Sequence, residues 1–236
     1  MNLENAVVFI TGANRGIGRA FAEEALARGA RKVYAAARNP SDITLAGVVP
    51  IELDVTDPQQ VAAAARACGD VTLLINNAGI AHFGGFLGDD SIDSARAQME
   101  VNYFGPLRLS LAFAGILASH GGGAILNVLS IASWINSPLL GVYASTKSAA
   151  WGLTNSLRHE LRAQHTQVLG LHMGFVDTGM TEAIDMLKSQ PIDIVRRALD
   201  GLEAGAEEVL ADDITRQVKQ GLSSHPGVYL ASIARE

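Results

Sequence analysis

The sequence predicts an α/β fold, a doubly wound parallel sheet with helices on both faces. Three observations carry this expectation. Seven short β-branched runs are apolar on both faces, as strands covered on each side must be. Longer Ala- and Leu-rich segments of helical spacing separate them, so strand and helix alternate throughout the 236 residues. A glycine-rich turn joins the first strand directly to the first helix.

Taken in order, A-V-V-F-I-T (6–11) is the first strand and 17–28 the first helix. K-V-Y-A-A-A (32–37) and V-V-P-I-E-L (48–53) are the next two strands, with a helix at 58–67 whose start is marked by Asp57-Pro58. V-T-L-L-I-N (71–76) precedes a long helical pattern at 91–119, with Ser94 as its start signal. A-I-L-N-V-L-S (124–130), a helix at 142–164 and Q-V-L-G-L-H-M (167–173) follow. The chain then runs through a helix at 191–204, the short strand E-V-L-A (208–211) and a helix at 213–221. No repeat, low-complexity tract or linker divides it, so one domain is expected over 1–236, with 179–190 as a short substrate lid. The apolar tail H-P-G-V-Y-L-A-S-I (225–233) is expected to pack, either on its own core or on a neighbouring subunit.

Composition narrows the function. A net charge of −6 argues against nucleic acid or an anionic membrane as the main partner, because binding phosphates requires a basic surface. The single cysteine, Cys68, excludes an internal disulfide and suits a reducing compartment; its Ala-rich surroundings predict a buried helical thiol. The N-terminus lacks the basic flank and cleavage site of a signal peptide, and no apolar run approaches the roughly 18 residues that span a bilayer, so a cytoplasmic setting is expected. The six histidines form no metal-ligand pattern, and no G-x-S-x-G stands before a helix, so no metal site and no hydrolase are expected.

T-G-A-N-R-G-I-G (11–18) lies between the first strand and the first helix. Gly12 permits a sharp turn, Gly16 a close backbone approach to a ligand, and Gly18 tight packing of helix on strand. The helix start offers free N–H groups and the positive end of its dipole to a pyrophosphate. The second strand ends at Ala37 and is followed by Arg38, where an acid would bind the 2′-hydroxyl of an adenosine ribose. Arg38 and Arg15, with no carboxylate beside them, suit a 2′-phosphate and hence NADP(H) in preference to NAD(H). Asp54 ends the third strand, either reaching an adenine amino group or capping the next helix.

Tyr143 and Lys147 stand four apart near a helix start and share one face. A neighbouring cation favours a phenolate, so Lys147 is placed to tune Tyr143 as an acid-base group. Ser130 ends the fifth strand at the carboxyl edge of the sheet, where ligands bind in such folds. Its hydroxyl is positioned to donate to a carbonyl oxygen while Tyr143 delivers the proton.

These motifs, with L-D-V (53–55), N-N-A-G (76–79), V-N (101–102) and G-F-V-D-T (174–178), make the whole chain resemble a short-chain dehydrogenase/reductase of the compact, single-domain branch. The resemblance implies a Rossmann-type seven-stranded sheet in the order 3-2-1-4-5-6-7 and hydride transfer between nicotinamide and a carbonyl or alcohol carbon. It implies Tyr143 as general acid/base and Ser130 as the group orienting the substrate oxygen. Lys147 would bond the nicotinamide ribose and lower the tyrosine pKa, and Asn102 would anchor a water linking Lys147 to solvent. Asn14, Arg15 and Ile17 with the three glycines of the first turn, and Asp54 and Val55, would hold the cofactor. So would Asn77, Ala78 and Gly79, and then Gly174, Val176 and Thr178 beside the carboxamide and phosphates. The resemblance also implies a homo-oligomer through the helices at 91–119 and 142–164. One departure is visible: Met173-Gly174 stands where the family usually has Pro-Gly, so the loop is either looser or uses Met173 as a pocket wall.

His82, Phe83, Ile131, Trp134, Leu139, Leu140 and Phe175 flank these motifs as candidate pocket walls. They are mostly apolar or aromatic, which suits a small to medium hydrophobic ketone or secondary alcohol, not a large anion. The reading is an NADPH-dependent carbonyl reductase. Its alternatives are an NAD-dependent alcohol dehydrogenase working oxidatively and a non-catalytic NADP(H)-binding regulatory protein.

Overall fold

The computed structural model describes residues 1–230; positions 231–236, the last part of the apolar tail among them, lie outside the described residues. Seven parallel strands form the sheet: β1 (Val7–Thr11), β2 (Lys32–Ala37), β3 (Val49–Glu52), β4 (Leu73–Asn76), β5 (Gly123–Val128), β6 (Thr166–His172) and β7 (Glu208–Leu210). Their order, β3-β2-β1-β4-β5-β6-β7, is the one the family resemblance implies. β1 and β4 are buried at every position, as strands covered on both faces must be. β3 differs from the expected doubly buried strand, because it is the sheet edge: Val49, Pro50 and Glu52 are exposed. Pro50, which has no N–H to donate, is tolerated at such an edge.

The helices cover the sheet as two layers. On one face α1 (Gly16–Ala27) and α6 (Pro191–Glu203) bury Phe21 and Ala25 with Ile194, Val195 and Leu199 against β1 and β4. On the other, Val61 of α2 (Pro58–Ala67) joins Leu109, Phe113 and Leu117, and Phe113 meets Phe9 at 4.9 Å between ring centroids. α5 (Gly141–Glu160) adds Leu157 to this face, and Cys68 is fully buried there, its thiol pushed up to about 11 by burial.

The pattern at 91–119 folds as α3 (Ser91–Met99), a π-helical segment (Glu100–Phe104) and α4 (Gly105–Ser119). π segments of this kind frequently mark functional sites, and here the buried residue of the segment is Asn102. By length and hydropathy the continuous 29-residue stretch Ser91–Ser119 is long and apolar enough to cross a bilayer, although polar residues interrupt it and no unbroken apolar run of that length stands in the sequence. In this fold α3 lies on α5 and α4 on α2.

Pairing registers decide where the site lies. Thr11 sits beside Ala36, Asn76 beside Asn127, and Val128 beside Leu171. The carboxyl ends of β1, β4, β5 and β6 are thereby brought into one row, and each is followed by a motif singled out in the sequence.

Candidate active site

The first turn is built as the glycines require. Gly12 and Gly16 have φ of +64° and +56°, in the left-handed region that excludes most side chains. A Cβ on Gly18 would lie 2.1 Å from the Gly12 carbonyl oxygen, so only glycine lets α1 come this close to the turn. α1 begins at Gly16 with no side-chain cap and no acid in its first turn, leaving its N–H groups for an anion. Thr11 and Asn77 hold the turn: the Thr11 hydroxyl accepts from Asn77 N and Ala78 N at 3.0 and 2.9 Å. Asn77 Nδ2 donates to the Thr11 carbonyl at 2.8 Å and to that of Gly12 at 3.1 Å. Thr178 arrives from β6, within 3.3 Å of where a Cβ on Gly16 would stand.

Arg15 and Arg38 are exposed, and among the described residues neither forms an ion pair or side-chain hydrogen bond. Arg38 lies near Asp54, where with hydrogen bonds from Thr56 it holds that carboxyl below its ordinary range against the opposing effect of burial, the largest single influence. Asp54 accepts from Thr56 through Oδ1, while the cap of α2 is Asp57, which accepts from Gln59 N and Gln60 N. Asp54 is thus free of the capping role considered for it. Val55 and Ile17 pack into the core beneath the cradle, and Asn14 stays half-buried in the turn. A dinucleotide with a phosphorylated ribose fits these groups: an open helix start, two unpaired arginines and glycines that any side chain would block.

The reacting groups converge on the ends of β5 and α5. Ser130 is extended, and its Oγ accepts from Ala132 N at 3.1 Å, leaving its own proton to donate. Tyr143 keeps part of its surface open, but burial of its hydroxyl pushes it up to about 12, a shift the Ser130 hydroxyl opposes. Lys147 is buried and lowered to about 8 by desolvation. Its Nζ lies 5.7 Å from the Tyr143 ring centroid and donates to the Val128 carbonyl at 2.8 Å. In this arrangement the lysine adds no lowering of its own to the tyrosine, because the ammonium is turned to a backbone oxygen. The three side chains are nonetheless brought together, with Tyr143 as an intact phenol at neutral pH.

The Asn102 side chain is engaged by the chain itself. Its Oδ1 accepts from Ile80 N at 2.9 Å, and its Nδ2 donates to the Ile80 carbonyl and the Thr146 hydroxyl at 2.8 and 2.9 Å. This pins the loop after N-N-A-G. A Cβ on Gly79 would come within 3.3 Å of Asn102 Oδ1 and 3.9 Å of Lys147 Nζ, so Gly79 keeps the floor of the site open.

Met173 takes neither role considered for it. It is buried in the core on the α1–α6 face, and the loop after it is held without proline. Gly174 N donates to Asp212 Oδ2 at 2.8 Å, and Ile131 N donates to the Met173 carbonyl at 2.9 Å. Ser189 then closes the base of the 179–190 segment, its N–H donating to the Phe175 carbonyl and its carbonyl accepting from Asp177 N, both at 2.9 Å. Val176 is buried in this stem.

The candidate walls separate. Phe83 and Leu139 are exposed and belong to two loops joined by a bond from Gly84 N to the Leu139 carbonyl at 2.8 Å. His82 is exposed beside them, its N–H held by the buried Gln98 at 3.2 Å, while Ile131, Leu140 and Phe175 are half-buried. Trp134 turns elsewhere: its ring stacks on His172 at 4.0 Å, meets Trp151 edge-on at 6.2 Å and lies under Lys219. Its expected place in the pocket wall gives way to this cluster. Exposed Phe86, Met180, Met186 and Leu187 add apolar surface on the neighbouring loop and the 179–190 segment.

Thr11, Gln98, Thr146, His172 and Asp212 were not singled out by the sequence as site residues. Thr11, Thr146 and His172 lay inside stretches the sequence did single out, but their roles depend on partners in distant segments, where spacing gives no signal.

Comparison with known proteins agrees with this geometry. The family model for short chain dehydrogenase matches residues 6–188. The crystal structure of a short chain dehydrogenase from Burkholderia cenocepacia in complex with NADP superposes with a TM-score of 0.92 at 39% identity, covering 96% of each chain. A 3-oxoacyl-(acyl-carrier-protein) reductase of Salmonella typhimurium is 31% identical over 218 residues, 89% of this chain and 88% of the relative. Dehydrogenase/reductase SDR family member 7B of mouse is 33% identical over 196 residues, 76% of this chain; the chain spans only 60% of that relative's length.

Proposed function

Because the chain belongs to the short-chain dehydrogenase family, a family of nicotinamide-dependent oxidoreductases acting on small molecules, we propose that it is an NADPH-dependent carbonyl reductase. Its substrate is a small to medium hydrophobic ketone, reduced to a secondary alcohol. The observation that carries the reading is the convergence of Ser130, Tyr143 and Lys147 at the ends of β5 and α5, which sets a phenol with a proton to give beside a hydroxyl that can hold a carbonyl oxygen. When bound, the nicotinamide supplies the hydride that adds to the carbonyl carbon, so ketone, NADPH and one proton give alcohol and NADP⁺. Ser130 holds the substrate oxygen by donating its hydroxyl proton, the acceptor side of that hydroxyl being occupied by Ala132 N. Tyr143 then protonates the oxygen as negative charge builds on it.

Preference for NADPH is supported by the two free arginines and the absence of an acid after β2, and by the NADP found in the Burkholderia structure. The hydrophobic substrate is supported by the apolar rim of Phe83, Phe86 and Leu139. A cytoplasmic homo-oligomer joined through α4 and α5 completes the proposal; Phe104 and Leu111 present exposed apolar surface there. The test is the initial rate of nicotinamide absorbance loss, with NADPH and NADH in parallel, on aryl ketones, α-keto esters and aldehydes. Turnover preferring NADPH is expected; NADPH binding with no turnover on any of them would refute the reductase.

A further inference from the structure

Behind Ser130 lies a side chain that stability alone does not explain. His172, the last residue of β6, is fully buried and sits flat on Trp134, with ring centroids 4.0 Å apart. Its Nδ1 lies 3.1 Å from the Ser130 carbonyl oxygen. A carbonyl only accepts, so Nδ1 carries the ring proton and donates. Nε2 is then a bare acceptor with no hydrogen-bond partner among the described residues. The nearest charged group is the Glu208 carboxylate at 3.6 Å, another acceptor, which Lys219 already binds at 2.9 Å. Burial holds the ring neutral, at about 4, so no imidazolium forms to pair with Glu208 at neutral pH. An apolar ring would keep the stack on Trp134 and remove a buried, unsatisfied nitrogen, a group that lowers stability.

What the imidazole supplies is control of one peptide plane. The carbonyl of the Ser130–Ile131 peptide is held by His172, and its N–H donates to the Met173 carbonyl at 2.9 Å. Both ends of that plane are thus fixed, one to the last residue of β6 and the other to the residue that follows it. The plane opens the turn Ile131–Ser133, whose Ala132 N–H donates to Ser130 Oγ at 3.1 Å. That bond in turn settles which side of the hydroxyl accepts and which way its proton points.

We propose that His172 is a positioning residue for the reaction: by donating to the Ser130 carbonyl it fixes the direction of the Ser130 hydroxyl toward the substrate oxygen and Tyr143. This rests on the reductase reading above. Among the described residues its one side-chain hydrogen bond goes to Ser130, so it acts first on the chemical step.

The test compares wild type, His172→Phe and His172→Asn. The Phe variant keeps the stack without the donor, and the Asn variant keeps a short-side-chain donor. For each, kcat, KM for NADPH, NADPH affinity by fluorescence titration and Tm are measured. His172→Phe is expected to lose roughly tenfold in kcat, short of the hundredfold that a displacement of about 1 Å can cause. Its NADPH affinity should stay within about twofold and its Tm close to that of wild type, because the Ser130 carbonyl left without its donor offsets the removal of the unpaired nitrogen, while His172→Asn recovers most of the kcat. A purely structural histidine predicts the reverse, a lower Tm with kcat intact in the molecules that fold. Full kcat in His172→Phe, an Asn variant no better than Phe, or a Phe variant that fails to fold would each overturn the proposal. If wild type itself turns over no carbonyl, the reductase reading falls and this proposal with it; an active wild type with an unimpaired Phe variant sinks only this one.

Discussion

Replacing Lys147 with methionine should abolish turnover and make the protein more stable. Burial lowers the Lys147 ammonium from 10.5 to about 8, so the native fold binds its proton less tightly than the unfolded chain does. Each pKa unit is worth about 1.4 kcal/mol, and the difference destabilises the folded state by roughly 3 kcal/mol at neutral pH. Because the folded pKa is the lower one, this destabilisation is fully present below about pH 8 and fades as the pH rises toward 10.5. Methionine removes it while filling a similar volume. Against the gain stands the Val128 carbonyl, which now accepts from Nζ at 2.8 Å; leaving it unpaired costs about 1 kcal/mol. The net is about 2 kcal/mol, or about 4–8 °C in Tm for a chain of this size. Near pH 10 the remaining ionic term is about 1 kcal/mol and cancels against the orphaned carbonyl, so the two proteins should melt together. Thermal unfolding of both at pH 7 and pH 10 measures this directly. A methionine variant that melts lower at pH 7, or a gain equal at both pH values, would show that desolvation of Lys147 has been misjudged.

Other substitutions separate the parts of the site. Tyr143→Phe should reduce kcat by about 10²–10⁴, the range of a lost proton-transfer group, while NADPH titration gives nearly the wild-type affinity; retention of most turnover would remove Tyr143 from the mechanism. Arg38→Asp takes a charge-assisted bond from the ribose phosphate and adds repulsion, so the ratio of kcat/KM for NADPH over NADH should fall by about ten- to a hundredfold. An unchanged ratio would count against the 2′-phosphate site. Gly18→Ala places a Cβ 2.1 Å from the Gly12 carbonyl and 2.5 Å from Asn77 Nδ2; overpacking of this kind destabilises by about 1–3 kcal/mol, and NADPH affinity should drop with the Tm. A variant of normal Tm and normal affinity would mean that the helix does not need this close an approach.

Some parts of this protein were legible residue by residue because their physics is local. A strand buried on both faces must be apolar at successive positions, and β1, β2 and β4 announced themselves that way. A left-handed turn favours glycine wherever it occurs, so Gly12 and Gly16 mark the cradle without any neighbour being known. Tyr143 and Lys147 share a helix face by spacing alone, and the run of ordered motifs carried the family and the strand order. At β3 the same rule misled, since being an edge strand depends on the whole sheet and not on its own residues.

The environment of each group was decided in three dimensions. Lys147 was expected to tune Tyr143, yet it finds the carbonyl of Val128, nineteen residues earlier on β5. Trp134 reads as a pocket wall beside Ser130, but His172, Trp151 and Lys219 draw it away. The missing proline after β6 is made good by Asp212 from the start of α7 (Asp213–Gly221), and the π segment turns Asn102 onto Ile80. The sequence by itself determined which groups this protein carries and in what order, because backbone conformation and burial on a strand or helix follow from near neighbours. Tertiary structure alone decided how each group ionises and which way it points, because desolvation and hydrogen bonding depend on atoms that only the parallel pairing of distant strands brings within 3 Å or so.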